Sequence, residues 1–181
     1  MLRWSVLALV VGGAAVWLAR GANGPADPVL VDPSTGVAPG VASPDRRPLE
    51  GFGELAFQLR NGTEVVEDLC ALLADDLPSR AQGLRGQTDL RGYDGMIFRY
   101  DADTDTAFVM ESTPLPLSIA WFDASGALVA ATDMEPCLGR GSCPLYRPPV
   151  PYRLALEVPR GALEDLGVGR GTVIEGGGRC R

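Results

Sequence analysis

The chain has 181 residues, 46% of them hydrophobic, and a net charge of −7; it contains no histidine, and all 16 of its basic residues are arginine. Without imidazole or lysine there is no Ser–His or Cys–His nucleophile pair, no His-ligated zinc, and no Schiff base or pyridoxal attachment. The acidic balance, with arginines dispersed among Asp and Glu, excludes the clustered basic surface a nucleic-acid partner requires.

Residues 1–20 read Met-Leu-Arg, then an uncharged and largely apolar run from Trp4 to Ala19, then Arg20. A basic start followed by an apolar segment is the pattern of secretory targeting. The 16 residues of the run exceed a usual signal core yet fall short of the ~20 that cross ~30 Å of hydrocarbon. Trp4 and Trp17 suit the two interfaces, and Arg3 and Arg20 can snorkel outward. The cleavage sequences are poor, so the reading favours a membrane anchor through residues 4–19 over a removed signal peptide. Residues 21–50, thick with Pro, Gly and Ala, lack apolar periodicity and read as a flexible linker. Residues 51–181 then form one globular domain.

Within that domain Leu55–Arg60 alternates apolar and polar residues and ends at the Asn61-Gly62 turn, and Glu67–Leu73 supplies a second strand. Leu77–Leu84 reads as a short helix with Pro78 near its start and Gly83 or Gly86 near its end. Gly95–Tyr100 and Thr106–Met110 read as strands around an acidic hairpin tip. Leu117–Phe122 and Ala127–Thr132 form a hairpin across Asp123–Gly126. Tyr152–Val158 is a further strand, Ala162–Leu166 a helical turn, and Gly171–Ile174 a last short strand. Many short strands with one or two small helices define an α+β class, a β-rich domain of mainly antiparallel strands, barrel- or sandwich-like.

Four cysteines, Cys70, Cys137, Cys143 and Cys180, all lie in the domain. An even count behind a secretion-like start points to two disulfides. Leu-Gly-Arg-Gly-Ser lets the chain fold back between Cys137 and Cys143, which leaves Cys70 for Cys180. The spacing offers no Cys-x2-Cys metal site.

Taken together, Arg80-Ala-Gln-Gly83-Leu84, Gly95-Met-Ile-Phe98, Phe108-Val-Met110, Pro116-Leu117 and Tyr152-Arg-Leu-Ala-Leu-Glu157 resemble the domain of unknown function 192 family in order and spacing. Pro136-Cys137 and Cys143-Pro144 resemble its secreted, actinobacterial-type branch. The resemblance implies a small β-rich domain behind a signal or anchor, and no activity. The chain departs from the family pattern at Val109, Arg85 and Ser118, where Trp, Met and Asp are common.

Three groups of residues carry candidate chemistry. Asp101, Asp103 and Asp105 alternate as in a calcium loop, but Thr106 and Ser112 occupy its required Gly and Glu positions, so a solvated tip is the better reading. Asp94 and Glu111 flank apolar strands and could form a catalytic acid pair for glycoside hydrolysis, if the fold brings them together. Met96, Phe98, Phe108, Met110, Trp121 and Tyr152 form either plain core or an apolar groove edged by Arg80, Glu111 and Thr113. No cofactor is implied, because no phosphate-cradling glycine loop is present. The favoured function is a non-catalytic binding or scaffolding module of the cell envelope, taking a small molecule, a glycan, a peptide or an envelope protein. A carboxylate-dependent hydrolase and a purely structural domain are the alternatives.

Overall fold

The computed structural model describes residues 45–139 and 141–180. The leader and residues 21–44 of the linker lie outside them. Among the described residues no helix is long and apolar enough to cross a membrane.

The alternating run gives β1 (Gly53–Asn61), which turns at Gly62 into β2 (Glu64–Ala74). A capping box between Asp76 and Ser79 then starts α1 (Leu77–Gln82), with Pro78 in its first turn and Gly83 ending it. There follow β3 (Gly95–Thr104), β4 (Phe108–Val109), β5 (Leu117–Phe122), β6 (Leu128–Met134) and β7 (Leu145–Tyr146). The chain closes with β8 (Tyr152–Pro159), α2 (Ala162–Asp165) and β9 (Thr172–Gly176).

Seven strands pair in the order β6-β5-β8-β3-β2-β1-β9, and β4 pairs with β7 in a separate two-stranded ladder. Every pairing is antiparallel except β2 with β3. The large sheet is a curled half-barrel whose ends meet: Ala127 bridges Val173, and the Ile174 N–H donates to the Gly126 carbonyl at 2.8 Å. Gly126 has φ 79°, and a Cβ there would lie 2.4 Å from the Ile174 carbonyl oxygen, so the seam requires glycine at this turn.

Because side chains alternate across a strand, the sheet has two apolar faces. Phe57, Leu59, Ala71, Ile97, Ala120, Phe122, Leu156, Val158 and Ile174 fill the inner one, with Leu163 of α2 over it. Cys70, Leu72, Met96, Phe98, Ile119, Trp121 and Ala155 form the outer one. Leu84, Leu90, Phe108 and Met110, from α1's exit loop and from β4 and its surroundings, cover that outer face.

Both disulfides join the expected partners, with Cα–Cα distances of 5.7 Å for Cys70–Cys180 and 5.8 Å for Cys137–Cys143. The acidic stretch is not a hairpin tip. β3 runs through Asp101 and Asp103 to Thr104, where Arg153 of β8 pairs with the Asp103 carboxylate at 2.8 Å and donates to the Asp101 carbonyl. The following segment shrinks to two strand residues, which pair with β7 rather than β3. At the start of the described chain, residues 45–50 lie along the Asp89–Tyr93 loop: the Arg47 N–H donates to the Arg91 carbonyl, and Leu49 packs on the outer core.

Candidate functional site

The outer face is not sealed. Between α1, β3, the Thr104–Met110 segment and β8 lies a cavity of about 420 Å³, lined by Arg80, Arg85, Phe98, Tyr100, Phe108, Met110, Thr113, Leu117 and Glu157. That volume falls in the range of small-molecule sites. Phe98 and Phe108 meet edge to face with ring centroids 4.9 Å apart and form one wall. Tyr100 belongs to another, backed by Tyr152, whose hydroxyl donates to the Thr106 carbonyl at 2.8 Å and whose ring meets Tyr100 at 5.5 Å.

Glu157 belongs to the cavity because of strand register. Leu154, Leu156 and Val158 of β8 face inward, so Ala155 and Glu157 face outward. Glu157 therefore lies between Met96 of β3 and Ile119 of β5. Beside it Gly95 allows close strand approach, since a Cβ there would sit 2.7 Å from the Glu157 carbonyl oxygen. Glu157 is 5% exposed, and its side chain forms no hydrogen bond or ion pair with any described residue. Burial without a partner penalises the charged form and pushes its carboxyl up to about 8. The same cause raises Tyr100 and Tyr152 above the ordinary tyrosine range.

At the mouth, Arg80 donates to the carbonyls of Asp75 and Arg99 at 2.6 and 2.9 Å and lies over the Tyr100 ring at 4.9 Å. It forms no salt bridge with a described residue. Arg85 is ion-paired with Glu111 at 3.2 Å. The Cys137–Cys143 loop braces this rim, because the Cys137 N–H donates to the Met110 carbonyl and the Ser112 N–H to the Cys137 carbonyl.

Of the residues singled out from sequence, Arg80, Phe98, Phe108, Met110 and Thr113 line the cavity. Tyr152 is buried behind its wall, Met96 is fully buried core, and Glu111 stands outside with a side chain 59% exposed. Asp94 is elsewhere. Its carboxylate accepts the Cys70 N–H at 2.7 Å and lines a wider, open cleft of about 800 Å³ between the Asp45–Arg47 stretch, the Asp89–Tyr93 loop and α2. The polar groups of that cleft are engaged: Arg47 pairs with Asp89, and burial, together with the hydrogen bond that the Tyr93 hydroxyl donates to Glu54 at 2.5 Å, pushes Tyr93 up to about 12. Neither Asp94 nor Glu111 is among the residues lining the cavity that holds Glu157. Glu157 itself is the residue that sequence reasoning missed; a lone carboxylate inside the apolar run Leu154–Val158 was the available signal.

A half-barrel carrying an aromatic-walled cavity with one buried carboxyl on its floor defines a small β-rich module with a ready-made pocket. The chain belongs to the DUF192 family, described as Uncharacterized ACR, whose model matches residues 58–176. Two crystal structures share the fold. One is from Sinorhizobium meliloti 1021 and is provisionally described as a transcription regulator; TM-score 0.60, 24% identity, 69% of this chain and 95% of that one covered. The other is a protein of unknown function from Novosphingobium aromaticivorans DSM 12444; TM-score 0.61, 24% identity, 74% and 93% covered. Likeness at that identity shows the fold alone. No curated protein matches the chain.

Proposed function

We propose that this protein is a non-catalytic binding module that works outside the cytoplasm and takes a small, largely apolar molecule into the Glu157 cavity. The observation that carries this reading is Glu157 itself. A buried polar group with no partner is costly, and native proteins keep few of them. Here the Glu157 carboxyl, given no hydrogen bond or ion pair by a described residue, opens onto a cavity of ligand size walled by Phe98, Phe108 and Met110. Two disulfides and the apolar leader support an oxidising, extracytoplasmic setting. A carboxylate-dependent hydrolase would need a second acid across the cavity, about 5–10 Å away. Among the described residues, Glu157 is the one carboxyl in the lining.

Methionine methyl NMR tests the pocket. In a screen of small aromatic fragments, the Met110 resonance shifts while that of Met134, fully buried at the end of β6, does not. Equal shifts at both, or shifts at neither, would contradict the reading. Fractionation of cells tests the location: the protein belongs in the membrane or the medium, and recovery as reduced protein from the cytosol would overturn that part.

A further inference from the structure

We infer that the ligand of this cavity carries a protonated amine on an apolar body, and that the amine pairs with the Glu157 carboxylate on the floor. The inference rests on the binding reading above and names the chemical class of its ligand. Three features converge. Glu157 is the single acid in the lining and has no cation or hydrogen-bond donor of its own among the described residues. Beside it the wall is aromatic, with Phe98, Tyr100 and Phe108 in the lining and Tyr152 behind them. Rings attract a cation through their π faces, and more strongly where water is excluded. The remaining charged groups are occupied: Arg80 is held by two carbonyls and the Tyr100 ring, and Arg85 by Glu111. A neutral apolar molecule would fill the walls and leave the floor carboxyl unserved. An ammonium ion satisfies both.

The protonation balance follows from burial. With its carboxyl raised to about 8, free Glu157 holds its proton at pH 6.5, and an alkylammonium ion arrives already charged. Pairing puts the negative charge on Glu157, keeps the positive charge on the amine nitrogen, and sends one proton from the carboxyl to the buffer. The titratable groups facing Glu157 are Tyr100 on β3 and Tyr152 on β8, with Arg80 and Arg85 at the mouth. Both tyrosines are raised and stay neutral through this range, and arginine stays charged. The pH dependence of binding therefore belongs to Glu157.

The experiment is calorimetric titration of the full-length protein with phenethylamine and with 2-phenylethanol, in buffers of differing ionisation enthalpy, from pH 6 to 9. Phenethylamine should bind with about one proton released at pH 6.5, and its affinity should rise roughly tenfold per unit between pH 6 and 8 before levelling. Glu157→Gln should abolish both the proton release and the pH dependence. Since the released proton is read on the unmodified protein, the test stands even if the variant folds poorly. If 2-phenylethanol binds as tightly as the amine, or amine binding releases no proton, the amine assignment fails while the binding reading survives. If neither compound binds at any pH and the Met110 methyl is indifferent to aromatic fragments, both fail.

Discussion

The two faces of the curled sheet are built from the same strands and differ in how they treat polar groups and space. Around the inner face the packing is apolar, from Phe57 and Leu59 to Phe122, Leu156 and Ile174, its buried Ser118 and Thr172 hydroxyls are hydrogen-bonded, and the seam at Gly126 closes it. The outer face is as rich in apolar groups, yet it admits Glu157, leaves the Trp121 Nε1 without a partner, and keeps a cavity beneath α1 and the Thr104–Met110 segment. Burial of apolar surface stabilises both faces in proportion to area. Only the outer one retains polar groups that a well-packed core would avoid. Both faces hold the fold, and the outer one also carries the candidate site.

The largest expected effect that separates them is the response of stability to pH. The Glu157 carboxyl lies near 4.5 when unfolded and at about 8 when folded. Its neutral form therefore contributes fully below pH 4.5, and that contribution is lost as pH rises to about 8. Over this window the stability of the native protein relative to Glu157→Gln should fall by on the order of 5 kcal/mol, read from urea unfolding at each pH. No pH trend in that difference would place Glu157 in contact with water or with a cation.

Next comes the Cys70–Cys180 bridge, which spans 110 residues and ties the tail to the outer face. Replacing both cysteines with serine should cost about 4–5 kcal/mol on the loop-entropy account, measured by denaturant unfolding. On the inner face, Phe57→Ala should cost about 4 kcal/mol with no dependence on pH. A pH-dependent loss there would break the distinction between the faces. The smallest effect belongs to Cys137–Cys143, a separation of 6 residues, worth about 2 kcal/mol. Its removal should weaken fragment binding more than stability suggests, because the loop braces Met110 and Thr113.

The strands of the half-barrel were legible because each carries its own signal: alternation in Leu55–Arg60, the turn at Asn61-Gly62, the Gly126 hairpin, Pro78 at the start of α1. The cysteine pairing was legible from spacing and elimination. The β4–β7 ladder was not. Strands of two residues have no periodicity to read, and their pairing depends on the disulfide loop and on Tyr152 holding the Thr106 carbonyl. The site was half legible. Arg80, Met110 and Thr113 could be marked as groove residues, but Asp94 and Glu111 drew attention as a pair of acids at strand ends. What identifies Glu157 is its burial between Met96 and Ile119, and strand order set by distant pairing decides that neighbourhood.

The most direct measurement is a ¹³C NMR titration of the Glu157 side-chain carboxyl in the ligand-free protein. Burial without a counter-charge predicts a midpoint raised to about 8. A midpoint near 4.5 would mean that this group is solvated or paired, and the cavity would lose its claim to be a binding site.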